Sequence, residues 1–101
     1  MSSPLRIKVS LIAQAQIGEA AAWWAENRLS APGAAREELD RILGLLSVHP
    51  GLGARARRAI LKDVRRATLP RIRYYLYYRV SDDALEVLAF WHTSRGQEPP
   101  L

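Results

Sequence analysis

The clearest periodicity in the chain lies between Pro70 and His92. Tyr74, Leu76, Tyr78 and Val80 alternate with Arg73, Tyr75, Tyr77 and Arg79, and successive side chains of a strand point to opposite faces. The pattern predicts a strand with one apolar, aromatic-edged face and one face of guanidiniums and phenols. Asp82-Asp83 predicts a turn, because Asp tolerates turn conformations and bonds its own backbone. Residues 85–92 are apolar on both faces except at Glu86 and His92. Strands buried on both sides carry such runs, which predicts a central position in a sheet. The polar tail that follows is a place where chemistry could sit.

Earlier in the chain, Leu5, Ile7 and Val9 alternate with Arg6, Lys8 and Ser10, the pattern of a half-buried edge strand. Ser10 is suited to cap a following helix. Residues 11–29 are rich in Ala and free of Pro, which predicts that helix. Ile17, Ala21, Trp24 and Arg28 fall at helical spacing, with Ala13 and Ala20 on the same side. Trp23 lies about 100° round the helix from Trp24, so the two indoles are expected to face different places. Trp24 is assigned to the core, and Trp23 to an interface or to the second helix. Ser30-Ala31-Pro32-Gly33 breaks the helix, and Pro32 fits the start of the next one, expected over residues 32–48. Its apolar stripe is Ala35, Leu39, Ile42, Leu43 and Leu46, with Glu37, Glu38, Asp40 and Arg41 outside. The short link predicts an antiparallel helical hairpin.

His49-Pro50-Gly51-Leu52-Gly53 ends the second helix with breakers. Residues 54–61 leave two readings open, a basic helical turn or an irregular loop. Residues 64–69 read as a strand, with Val64, Arg66 and Thr68 opposite Arg65, Ala67 and Leu69; Pro70 marks a turn or an edge. The order is β-α-α-β-β-β. This is an α+β fold, with the helical hairpin packed on one face of a small, mainly antiparallel sheet. Residues 1–101 read as one domain, without repeat or linker.

Composition narrows the function classes. The chain is 49% apolar, as globular proteins are. It has no cysteine, hence no disulfide and no thiolate metal site. His49 and His92 are far apart, which argues against zinc, and no cofactor is expected. No apolar run approaches membrane-spanning length and no signal-peptide pattern opens the chain, so a cytoplasmic location without membrane contact is the default.

Charge is uneven. Residues 1–54 carry five basic and five acidic side chains, whereas residues 55–79 carry nine basic ones against Asp63 alone. Eight of those nine are Arg, the exception being Lys62. Such a field attracts phosphates or an acidic protein, and arginine favours bidentate pairing with either.

Several stretches together resemble the RelE/ParE toxin superfamily of bacterial type II toxin–antitoxin systems. They are His49-Pro50-Gly51-Leu52-Gly53, Val64-Arg65-Arg66, the central Tyr74-Tyr75-Leu76-Tyr77-Tyr78-Arg79-Val80, and Val87-Leu88-Ala89-Phe90-Trp91-His92 with the following Thr93-Ser94-Arg95. Their order matches over about residues 5–95. In this superfamily RelE-like members cleave mRNA on the ribosome and ParE-like members poison DNA gyrase. RNA cleavage by the 2′-hydroxyl needs an acid, a base and cations on the developing phosphate charge. The nuclease pattern has an arginine where this chain has Tyr75, and Lys62 is the only lysine of the loop region.

If the chain is a nuclease, His92 is the acid or base, with Lys62, Arg65 and Arg73 on phosphates. The residue set looks incomplete, and His92-Thr93-Ser94 also resembles the ParE side. The resemblance therefore implies a ParE-like toxin that binds and inhibits gyrase without catalysis and is neutralised by a cognate antitoxin. The alternative is a RelE-like ribosome-dependent mRNA endoribonuclease. A plain protein-binding module is a third class. The antitoxin implied would carry an acidic C-terminal segment over an apolar groove beside the helices. Arg65, Arg66, Arg73, Arg79, Arg95 and Trp23 are the residues expected to meet it or the target. Direct contact with nucleic acid is left open.

Overall fold

The structure, a computed structural model, describes residues 3–101. Its elements run β1 (Arg6–Val9), α1 (Leu11–Asn27), α2 (Ala34–Val48), β2 (Ala54–Arg55), β3 (Arg65–Leu69), β4 (Tyr74–Ser81) and β5 (Ala84–His92), with a 3₁₀ turn at Pro50–Leu52. The strands form one sheet in the order β1-β5-β4-β3-β2. β1 is parallel to β5 and every other pairing is antiparallel. The expected α+β architecture is thus found, with a fifth, two-residue strand at the start of residues 54–61, where the sequence allows a helical turn or a loop. Ala54 and Arg55 pair with Arg66 and Arg65, and an irregular turn follows. No helix among the described residues is long and apolar enough to cross a membrane.

Helix α1 starts as expected: the Ser10 hydroxyl accepts the Ala13 N–H at 3.0 Å. Helix α2 starts two residues later than expected, at Ala34, with Gly33 as its cap and no side-chain capping bond. Pro32 therefore sits in the link and not in the first turn. β1 lies at the sheet edge as expected, but Ile7 is exposed; the strand is less buried than its alternation suggested.

β5 lies inside the sheet, flanked by β1 and β4, as a strand apolar on both faces should. β1 stops pairing at Val87. Beyond it the Gln16 amide oxygen accepts the Phe90 N–H at 2.8 Å, so α1 satisfies backbone that β1 leaves free. The β4–β5 register shifts between Tyr77 and Tyr78, leaving Leu88 as an extra residue. This bulge reverses the parity of β5. Leu85, Val87 and Phe90 consequently share the helix-covered core with Leu76 and Tyr78, while Ala89 and Trp91 join Tyr77 and Val64 on the other face.

The helix side is the main core. Ala13, Ile17 and Ala20 of α1 and Ala35, Leu39, Ile42 and Leu46 of α2 cover Leu69, Leu76 and Leu85. One polar atom is built into it. The Tyr78 hydroxyl accepts the Gly53 N–H at 2.9 Å and donates to the Pro50 carbonyl at 2.6 Å. Gly53 has to be glycine for proximity: a Cβ there would lie 2.5 Å from that hydroxyl oxygen. The His-Pro-Gly-Leu-Gly stretch is thus pinned to the central strand by a buried phenol, whose pKa burial raises.

The opposite face has a thinner cover. The C-terminal tail folds back across it: the Trp91 indole N–H donates to the Gln97 carbonyl at 2.8 Å, and Leu101 packs on the Val64–Tyr77–Trp91 cluster. The Leu101 carbonyl accepts the N–H groups of Ile60 and Leu61, which ties the β2–β3 turn to the tail. The segment read from sequence as polar and free for chemistry thus serves partly as a lid on the sheet.

Candidate functional site

The sequence-predicted cations separate into distinct environments. Arg66 and Arg95 lie on the open face, each with its guanidinium over an aromatic ring: Arg66 is 4.3 Å from the Tyr75 ring centre and Arg95 is 3.9 Å from that of Trp91. Together with Arg58 and Tyr77 they line a cleft of about 230 Å³ under the tail. Tyr75, the residue that stands where an arginine is expected of a nuclease, therefore forms the platform for Arg66. Arg79 follows on the same face and pairs across strands with Glu86 at 3.7 Å, its Nε buried without a partner among the described residues.

Arg65 sits at the β2 end of β3 and is held by the chain itself. One guanidinium nitrogen donates to the Gly53 carbonyl at 2.7 Å and to the Gly51 carbonyl at 3.3 Å. It is the residue of the six that is most clearly committed to the fold.

Arg73, by contrast, is not on the strand face that alternation assigned to it. It lies in the β3–β4 turn with φ 62°, a left-handed conformation rare for side chains other than glycine. Its N–H donates to the Leu69 carbonyl and its carbonyl accepts the Thr93 N–H, both at 2.9 Å, so both ends of the strained unit are fixed. Alternation fails here because the residue precedes the first strand pair, Leu69 with Tyr74.

Arg73 opens onto a cleft of about 610 Å³ between the end of α1, this turn and the end of β5. Trp23, Trp24, Arg28, Arg71 and His92 share its lining. The expectation that the two indoles face different places is overturned. They pack edge to face with ring centres 5.9 Å apart, and the Arg28 guanidinium lies over both, at 5.0 Å from Trp23 and 5.9 Å from Trp24. Helical angle alone misleads at this position. α1 ends at Asn27, and the guanidinium of its C-cap residue Arg28 meets both rings at one opening. Trp24 still packs on the core, while Trp23 is 45% exposed.

His92 closes the floor of the cleft. Its ring stands edge-on to Tyr74 at 5.0 Å, and Tyr74 stacks on Phe90 at 4.5 Å. Burial raises the Tyr74 pKa, against the opposing charge of Arg95. The Ser94 N–H donates to His92 Nδ1 at 3.0 Å. With Nδ1 accepting, the neutral ring carries its proton on Nε2.

The structure therefore brings Arg73, His92 and Trp23 together. It leaves Arg66, Arg79 and Arg95 on the open face, and Lys62 in the exposed β2–β3 turn, outside the lining of the large cleft. Sequence reasoning missed Arg28, Arg71 and Tyr74 as cleft residues. The signal present was an arginine four and five residues after a Trp pair at a helix end. No group of three His, Asp or Glu residues among the described residues is arranged to hold a metal.

Comparison with known proteins bears on these surfaces. The family profile described as "ParE toxin of type II toxin-antitoxin system, parDE" matches residues 7–96. Among solved structures, a chain of the "Chromosomal ParDE TA system from P. aeruginosa" superposes with a TM-score of 0.68 at 19% identity, covering 92% of this chain and 100% of that one. A search of curated proteins gives no significant match.

Proposed function

This chain belongs to the ParE toxin family of type II toxin–antitoxin systems, and from that premise we propose that it acts in the cytoplasm by binding and inhibiting DNA gyrase, without catalysing a reaction. The observation that carries the reading is the separation of Lys62 from the cleft that holds Arg73 and His92. Cleavage through a 2′-hydroxyl asks for acid, base and cations around one phosphate. Guanidiniums spread over an open face and a cleft suit recognition of an acidic surface. Purified toxin, freed from its antitoxin, is expected to inhibit gyrase supercoiling and to accumulate a gyrase–DNA cleavage complex. Normal supercoiling with saturating toxin would reject the proposal.

The cognate antitoxin implied by the family supplies the second half of the reading. Its C-terminal segment is expected to be acidic and to anchor in the apolar groove between α2 and β3, where Leu45, Leu52 and Ala67 line a cleft of about 300 Å³. Its carboxylates would reach Arg66, Arg79 and Arg95. Binding should weaken with salt but keep an apolar, salt-resistant part.

One observation favours a second reading. Arg73 and His92 share a cleft, as an RNA-cleaving RelE-like toxin would need. That reading expects mRNA cut at the ribosomal A site on induction, and loss of cutting in His92→Ala.

A further inference from the structure

We propose that the cleft between the end of α1 and the β3–β4 turn is a binding site for a nucleoside phosphate, with the base against the exposed indole of Trp23 and the phosphate on Arg73 and the Nε2 side of His92. The inference is independent of the gyrase reading, since it concerns binding by this chain alone.

The ligand class follows from what the cleft offers. Its lining carries three guanidiniums, one imidazole and three aromatic rings, and no carboxylate. Arg71 is already engaged by Glu37 and Glu38, at 3.3 and 3.5 Å. Arg28 is committed to the indoles, which leaves a cation over rings on which a base can stack, a sequence-tolerant interaction. Arg73 has neither an ion pair nor a side-chain hydrogen bond among the described residues. A guanidinium held on a strained backbone and left unneutralised is a ready phosphate donor. The volume, about 610 Å³, falls within the roughly 300–1,000 Å³ of pockets that enclose small ligands.

An acidic peptide fits the cleft less well. Extended peptides bind by adding a strand to a free edge. Here β4 and β5 are paired with each other to their ends, Tyr74 opposite His92. The cleft thus offers rings and cations but no backbone ladder.

The two sources of this chemistry, a free nucleotide and a unit of a single strand, are separated by the test. Labelled single-stranded hexanucleotides of DNA and RNA are titrated with the purified full chain and followed by anisotropy, then competed with AMP, adenosine and a polyglutamate peptide. Binding is expected at low salt. Displacement by AMP and not by adenosine would assign the site to free nucleotides as well. Displacement by unlabelled strand alone would assign it to single strands. Arg73→Gly keeps the left-handed turn without strain, and Trp23→Ala alters an exposed side chain, so both should fold, as circular dichroism checks. Each is expected to weaken binding about tenfold, Arg73→Lys to recover part of the loss, and Arg36→Ala on the outside of α2 to stay within about twofold. Absence of binding at low salt, full binding by folded Arg73→Gly and Trp23→Ala, or equal displacement by polyglutamate would overturn the proposal.

Discussion

The two faces of the sheet carry similar aromatic and aliphatic side chains but are covered by different means. On the helix side, Leu76, Tyr78, Leu85, Val87 and Phe90 disappear beneath α1 and α2, and the one phenol among them is bonded on both sides to the chain. On the other side, Tyr77, Ala89 and Trp91 are buried by a loop, a tail and guanidiniums lying on rings. Arginine stems and planes can cover apolar surface while their charge stays in water. The difference teaches where stability and recognition separate. The helix side holds the fold, and the open side is sealed by cations that the partner proposed above would meet without any of the helix-side core being disturbed.

The strongest way to break this comparison is to remove equivalent apolar volume from each side. Leu85→Ala, at a site with no exposure, should cost about 2–5 kcal/mol in chemical denaturation, because both transfer and cavity terms are lost. Leu101→Ala, half-covered on the other face, should cost about 1 kcal/mol or less. Equal losses would mean that the tail side is as much a core as the helix side.

Next in size is the clamp at the end of α2. Gly53→Ala would drive a Cβ into the Tyr78 ring and to 3.0 Å from the Arg66 carbonyl, with a cost of about 1–3 kcal/mol for overpacking. Tyr78→Phe leaves the Gly53 N–H and the Pro50 carbonyl without their partner, again about 1–3 kcal/mol. The double variant should lose less than the sum, since the missing oxygen is the nearest atom to the new Cβ. Strict additivity in urea melts would show that the two do not share one contact.

Much of this fold was legible in the sequence, and the failures share a cause. The central strand, the Asp82-Asp83 turn, the Ser10 cap and the α2 stripe each follow from spacing and residue chemistry, which are local properties. Three features depend on tertiary context. The parity change at Leu88 needs the register of β4, because an unbroken alternation puts Val87 and Ala89 on one face. The pairing of Ala54-Arg55 is too short for any periodic signal. The shared cleft of Trp23 and Trp24 depends on where α1 stops and on the turn that carries Arg73. Of the candidate site, the residue types were legible and their grouping was not.

A smaller effect separates the neighbouring arginines of β3. Arg65→Ala removes the donor to the Gly51 and Gly53 carbonyls and should cost about 1–2 kcal/mol of stability. Arg66→Ala loses a stacked cation, about 0.5–1 kcal/mol, yet should weaken antitoxin binding more, with a flatter salt dependence. Calorimetric titration on folded variants tests this, and a larger affinity loss for Arg65 would place the partner at the β2 edge instead of the open face.

The smallest effect belongs to an arginine that faces a carboxylate in full solvent. Arg6 on the edge strand donates to both Asp83 oxygens, Nε at 3.0 Å and Nη2 at 2.9 Å. The hydrogen bond and charge of Arg6 hold the Asp83 pKa below the usual carboxylate value. A depressed pKa in the folded state means stability that is present above the unfolded value and is lost as pH falls through the folded one. Wild type and Arg6→Ala should therefore differ slightly at neutral pH and converge in acid. The Asp83 midpoint, followed by side-chain NMR, should rise toward the ordinary value in Arg6→Ala, and in wild type when salt is added. A midpoint indifferent to both changes would mean that this exposed pair is a contact without coupling.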